Sequence, residues 1–399
     1  MQQIGAYEAV TKEELLGRIA GLKTMLAQRG ICFALIMQNV DMFYFTGTIQ
    51  KGILVIALDQ EPLLFIEKSC SRARRETPLD IIPIKSDQEV RKTLEDKHVL
   101  KGKGGMELDV VPVMLFRRLK KILGFDNIVD ISPLIKELRM VKSPYELSQL
   151  KKSGAIVSHV FQRATEVIRE GRTELEIDAL LVAEGRNRGH QGFLRMRGLN
   201  QEMMNTYVSA GYTSSIASYA DLPIAGVGVT PAIAQGSSFL KVRSGMPVYV
   251  DYGGGYNGYI TDETRVFVIG NLPEIFKKPY EVAKEIVLDA ASFGRAGVNT
   301  TELFQRACRK VKQAGLEDYF MGQGEGQVSF IGHGLGLEIN ELPVITARHR
   351  RVLQAGMVFA FEPKFSFPGV GAVGIEVDFI VRKDCLERVT DVPIDLFCI

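Results

Sequence analysis

Two stretches of this chain share one layout. An apolar run ends at a carboxylate, glycines follow, and a second apolar run begins beside another carboxylate. In the first stretch Met246–Val250 leads into Asp251, and Asp262 opens the run Thr264–Ile269, with Gly253, Gly254, Gly255 and Gly258 between them. That pattern predicts a hairpin with a glycine-rich loop. In the second, Met357–Phe361 leads into Glu362, Pro368 and Gly369 turn the chain, and the run Val373–Val377 returns carrying Glu376. Two hairpins that each offer two carboxylates to one point constrain the fold strongly. His333, between Gly332 and Gly334, adds one nitrogen donor. Four carboxylates and one imidazole can hold two divalent ions. Such ions, roughly 3.5–4 Å apart, polarise a carbonyl and generate hydroxide near neutral pH.

The rest of the composition excludes several alternatives. With 399 residues there is length for two domains and a large core. Charged residues make up 24% and the formal net charge is +2, with basic and acidic residues interleaved, so no nucleic-acid surface is expected. No apolar run is long enough to span a bilayer. The segment Met1–Val10 has neither a basic start nor an apolar core, so a secretory signal is not expected either. Cys32, Cys70, Cys308, Cys385 and Cys398 are scattered, which fits free thiols in the cytoplasm. Gly253–Gly258 formally matches a dinucleotide fingerprint, but a β-branched and aromatic stretch follows it where that motif needs a helix.

Along the chain, Thr11 and Glu14 read as a capping box, and Leu15, Ile19, Leu22 and Leu26 form a helical stripe. Strand-like runs follow at 32–37, 53–58 and 63–66, then a surface loop at 95–105 and a helix at 113–123. This alternation predicts a small α/β domain. A boundary falls near Ser143, where a linker open to proteases is expected. Ser143, Pro144 and Glu146 then start a long helix, and Thr173 and Glu176 start another. Two more helices are expected over 279–293 and 301–314. The predicted domains are 1–142 and 143–399.

The local motifs carry a family resemblance. Asp251-Tyr-Gly, Tyr259-Ile-Thr-Asp262-Glu-Thr-Arg265, Gly332-His-Gly-Leu-Gly336, Phe361-Glu-Pro363 and Ile375-Glu376 resemble the metal-ligand motifs of the pita-bread metallopeptidases. That family holds methionine aminopeptidase, aminopeptidase P and prolidase, with the metal-free creatinase. The resemblance covers essentially the whole chain. It implies an α+β fold in which a pita-bread catalytic domain follows a smaller creatinase-type α/β domain. It also implies a homodimer and a dinuclear hydrolase of peptide bonds, of the Xaa-Pro aminopeptidase or dipeptidase kind. Asp251 would chelate one metal, Asp262 and Glu376 would bridge both, and His333 and Glu362 would complete the other. Glu362 would also be the catalytic base. Carboxylate-rich ligation favours Mn or Co, with Zn also able to bind.

The chain departs from the family on the substrate side. Where the family has a His-Glu pair after Gly-His-Gly, this chain has Asn340-Glu341. Where it has Pro-His before the first metal Asp, this chain has Ala234-Gln235. An Arg common two residues before the last Glu is replaced by Gly374. Asn340, Glu341 and Tyr259 are the candidate pocket residues. The departures predict weak cleavage of Xaa-Pro dipeptides. They also keep open an amide or amidine hydrolase of a small metabolite, or a silent binding protein. His98, His190 and His349 read as solvated residues, His159 as a surface or interface residue, and Arg265 as the partner of a nearby carboxylate.

Overall fold

The structure is a computed structural model that describes residues 7–399. The first six residues, within the segment read for a secretory signal, lie outside the described residues. The chain divides into two compact units. One runs up to Arg139 and adds Arg197–Gln201; the other holds Met140–Met196 and Glu202–Ile399.

The first unit is built on a six-stranded mixed sheet in the order Ile81–Pro83, Leu63–Ile66, Gly52–Ala57, Phe33–Ile36, Gly104–Met106 and Ile128–Asp130. Its first helix, Lys12–Ala27, starts where Thr11 accepts a hydrogen bond from the Glu14 amide. The surface loop expected over 95–105 is confined to 97–103. Gly104 and Gly105 form a buried strand paired on both sides. A Cβ on Gly104 would lie 2.3 Å from the Phe33 ring, so glycine here serves close packing and not a loop.

In the second unit the helix Pro144–Val167 carries the complete capping box of Ser143 and Glu146, and Glu174–Asn187 carries that of Thr173 and Glu176. The Ser143 junction is not a loose linker. Val141 bridges Met357, the Lys142 amide donates to the Gly356 carbonyl, and the buried Lys142 ammonium pairs with Glu341 at 3.0 Å. The helix expected to start at Pro279 starts at Glu274 and runs to Phe293 with Pro279 inside it. Pro279 lies in its second turn and removes the helical hydrogen bond to the Ile275 carbonyl.

Three sheets position the site. A four-stranded sheet runs Phe397–Cys398, Tyr259–Val268, Pro247–Tyr256, Thr206–Ala210. A five-stranded antiparallel sheet runs Glu341–Thr346, Phe330–Gly334, Val358–Phe361, Val377–Val381, Leu386–Arg388. The small ladder Lys364–Phe367 with Gly371–Gly374 completes them. The helix Pro144–Val167 packs on the four-stranded sheet through Val157, Phe161 and Val160, with Phe161 stacked on Phe267 at 6.3 Å. The helices Glu274–Phe293 and Thr300–Ala314 supply Phe276, Ile286 and Leu303 to a second core with Phe359, Phe361 and Phe379.

Candidate metal centre

The first carboxylate hairpin is longer than its glycines imply. Its strands pair without a break from Pro247↔Val268 to Tyr256↔Tyr259, so Gly253, Gly254 and Gly255 belong to the strand. The turn is Asn257-Gly258, both at positive φ, the two-residue connection that matches strand twist. The strand glycines make room for neighbours: a Cβ on Gly254 would lie 2.4 Å from Thr261 Oγ1 and 2.6 Å from a Val157 methyl. Asp251 faces Thr264 in this register and Asp262 faces Gly253.

The second hairpin is interrupted. Val358–Phe361 pairs with Val377–Val381, and Lys364–Phe367 pairs with Gly371–Gly374. Glu362 and Glu376 lie in the gap between these two ladders. Their amides are held elsewhere, Glu362 N–H by Ile331 O at 2.9 Å and Glu376 N–H by Thr264 O at 3.2 Å. The break frees both side chains to point at the first hairpin. Fully buried Arg265 braces the junction by donating to the carbonyls of Thr264 and Glu376 and to Glu263. It is the ion-pairing arginine expected from sequence.

His333 and three of the four expected carboxylates converge. His333 Nε2 lies 4.0 Å from Asp262 Oδ2, 3.7 Å from Glu362 Oε1 and 3.8 Å from Glu376 Oε1. Asp262, Glu362 and Glu376 are buried; His333 is partly open. Its Nδ1 lies 3.4 Å from the Gly334 carbonyl, a contact that needs the proton on Nδ1 and turns the Nε2 lone pair toward the carboxylates. Asp262 Oδ1 and Glu376 Oε1 are buried with no hydrogen-bond donor. Burial, then the charges of Glu376 and Asp251, push Asp262 well above the usual carboxylate range. Buried oxygens without a donor, Asp262 Oδ1 and Glu376 Oε1, fit a divalent cation, and Asp262, His333 and Glu376 have ligand atoms close enough to share one.

The remaining orientations are fixed by neighbours. Tyr249 donates to Asp251 Oδ2 at 3.2 Å, and Thr264 donates to Glu376 Oε2 at 2.8 Å. The Asp262 amide donates to Asp378 at 2.7 Å.

One member of the cluster escaped the sequence reading. Buried Lys364 donates to Glu362 Oε2 at 2.7 Å and Glu376 Oε2 at 2.8 Å, with Asp251 Oδ2 at 3.4 Å. Burial pulls its ammonium down, but the charges of Glu362 and Glu376 outweigh that and hold it well above the ordinary lysine value. The signal was its spacing: two residues past Glu362 in extended chain is the same face. Gly374, where the resemblance leads one to expect an arginine, is directly opposite Lys364 in the ladder. A Cβ there would lie 2.7 Å from Lys364 Cγ, so the missing side chain makes room for the lysine stem.

The pocket candidates fare differently. Tyr259 is fully buried, its hydroxyl donates to Glu146 at 3.2 Å, and its ring meets Tyr145 edge-on, so it is a core residue and not a substrate contact. Glu341 is also corrected. Its Oε1 accepts from the amides of Leu337 and Glu338, and its Oε2 pairs with Lys142, which makes it an anchor for the turn after His333. Asn340 is exposed. Gln235 is buried, accepting from Tyr207 and donating to Glu202 O. His98, His159 and His349 are exposed as expected. His190 is not: it is buried, with Nε2 at 3.1 Å from Gly253 O and Nδ1 accepting from the Gly192 amide.

Comparison with known proteins decides the family. Residues 148–383 match metallopeptidase family M24, and residues 18–141 match the creatinase/prolidase N-terminal domain. The chain belongs to metallopeptidase family M24. By that membership this M24 chain is a hydrolase, in an α+β pita-bread fold behind a creatinase-type domain. It is 27% identical to the Xaa-Pro dipeptidase of Pyrococcus furiosus, over 94% of this chain and 97% of that one. Among solved structures it is similar to the X-Pro aminopeptidase of Thermotoga maritima, with a TM-score of 0.79 at 26% identity, covering 96% of this chain and 99% of the other. The Xaa-Pro dipeptidase of Bacillus anthracis shares the fold with a TM-score of 0.83 at 24% identity, over 96% and 100% of the two chains.

Proposed function

We propose that this M24 chain is a divalent-metal-dependent peptidase of the prolidase type, with Asp251, Asp262, His333, Glu362 and Glu376 forming its centre. The observation that carries the reading is the convergence of His333 Nε2 with three carboxylates, two of whose oxygens are buried and lack donors. Asp262, His333, Glu362 and Glu376 would hold the ion. When bound, it supplies a Lewis acid for a peptide carbonyl and lowers the pKa of water beside it.

The protein's own groups do the rest. Glu362 is the general base: Lys364 holds its Oε2, which leaves Oε1 directed at the cluster to take a proton from the attacking water. Lys364 itself stays charged and offsets the carboxylates. Thr264 fixes Glu376, and Tyr249 fixes Asp251. Mn or Co would suit the oxygen-rich donors, and Zn could bind. A short peptide is the substrate, and a homodimer and a cytoplasmic site of action go with the reading. Among the described residues, no helix is long and apolar enough to cross a membrane.

The substrate side is where this chain differs from the pattern. An imidazole can protonate a leaving nitrogen; the amide side chains of Asn340 and Gln235 can only hydrogen-bond. Cleavage of Xaa-Pro dipeptides is therefore expected to be slow. The test is a panel of dipeptides and cyclic amides turned over by the wild type and by Asn340→His. The variant should cleave Xaa-Pro dipeptides about tenfold faster or more. If the wild type already turns them over at roughly 10–100 per second, the missing imidazole does not matter. Cyclic amides cleaved in preference to every peptide would shift the reading to a small-amide hydrolase.

A further inference from the structure

The ammonium of Lys364 sits inside the carboxylate cluster, not beside it. It is buried, and its three partners, Glu362, Glu376 and Asp251, are three of the five residues assigned to metals. On both glutamates it takes the oxygen other than the one nearest His333. Glu376 makes the division plain: its Oε1 faces His333 Nε2 at 3.8 Å and lacks a donor, while its Oε2 is taken by Lys364 and Thr264. Glu362 divides in the same way, Oε1 toward His333 and Oε2 to Lys364. Asp251 turns its Oδ2 to both Tyr249 and Lys364.

The cluster thus has one half with free lone pairs and one half already supplied with a positive charge. A five-residue centre that bridges two ions needs both oxygens of its bridging glutamate and the chelating Asp251 to be available. Here one oxygen of each, Glu376 Oε2 and Asp251 Oδ2, is occupied by the same side chain, as is Glu362 Oε2. We infer that Lys364 is a built-in cation standing where a second metal ion would bind, so that the centre holds one divalent ion per chain, on the His333 side. The inference rests on the metallopeptidase reading above and narrows it from two ions to one.

Gly374 belongs to the same arrangement. The lysine stem needs an empty position on the facing strand, and Gly374 provides it. Lys364 and Gly374 are therefore one paired feature: a positive group enters from one strand because its neighbour on the other strand has no side chain.

The test counts metal. The protein is loaded with excess Mn(II), freed of loose ions by gel filtration, and measured for manganese per chain and by electron paramagnetic resonance. About one ion per chain is expected, with the spectrum of an isolated Mn(II). Lys364→Gly should take up a second ion and show the broadened spectrum of a coupled pair. Lys364→Met, which keeps the buried stem and removes the charge, should do the same and serves if the glycine variant does not fold. Asp251→Asn placed on either variant should remove the second ion and leave the first. Two ions in the wild type would overturn the inference and leave the metallopeptidase reading standing, with Lys364 as an accessory charge. No ion in a folded wild type would overturn both. One ion in the wild type and still one in folded Lys364→Gly and Lys364→Met would show that Lys364 is not what keeps the second ion out.

Discussion

At the scale of single residues, charge placement explains most of what the centre is for. Asp251, Glu362 and Glu376 crowd around the Lys364 ammonium while Asp262 does not touch it, and a buried carboxylate without a partner is costly. Asp262 Oδ1 and Glu376 Oε1 lack donors, and the second of these faces His333. A partly buried acid offers a clean test of this electrostatics away from the metal ligands. Asp178 accepts from Ser237 Oγ at 2.6 Å, yet burial pushes its carboxyl up to about 6. Because its folded pKa is raised, the native state binds the extra proton between about pH 4 and pH 6. Stability from this group is therefore lost as pH rises through that window and stays lost above it. Asp178→Asn cannot ionise, so its stability relative to wild type should rise by about 2 kcal/mol between pH 4 and pH 7. Parallel pH profiles of denaturant unfolding for the two proteins would contradict this.

At the scale of elements, the sequence was most legible where one residue type does one job. The caps at Thr11, Ser143 and Thr173 start helices where they were read, because a side-chain oxygen that satisfies an amide three residues on is a local device. Ser143→Ala should lower global stability by about 1 kcal/mol, measured by urea unfolding. An unchanged midpoint would mean that Glu146 and Pro144 fix the helix start alone. The glycines were misread because glycine marks both turns and tight packing. Gly253–Gly255 and Gly104–Gly105 are strand residues, and only contacts distant in sequence, Val157 and Phe33 among them, reveal that. Lys364 is hidden for a related reason: its partners Asp251 and Glu376 are distant in sequence, and only its spacing from Glu362 is local. The four carboxylates and His333 were legible because each stands in a motif, while the roles of Tyr259 and Glu341 depend on Glu146 and Lys142, which no motif links to them.

At the scale of the whole molecule, the family match spans both units, and the segment Arg197–Gln201 belongs to the first although it is remote in sequence. Arg197 pairs with buried Asp41 at 2.9 Å and with Asp109 at 2.8 Å. Asp41 keeps Arg139 and Asp109 keeps Lys136 without it. A fragment of residues 1–142 is therefore expected to fold but to be less stable than the same unit in the full chain. Arg197→Met in the full chain should cost about 3 kcal/mol, read from hydrogen exchange of the 33–36 and 52–57 strands. Exchange in those strands that is unchanged by the substitution would show that Arg139 and Lys136 suffice. The central claim concerns chemistry, and metal-dependent peptide hydrolysis tests it most directly. Wild type and Glu362→Gln are each stripped with chelator, reloaded with Mn(II) or Co(II), and assayed on dipeptides, with folding checked by circular dichroism. Hydrolysis should vanish on stripping, return on reloading, and fall by about 10²–10⁴-fold in the variant at unchanged fold. Hydrolysis that survives complete metal removal, or a folded Glu362→Gln as fast as wild type, would contradict the account.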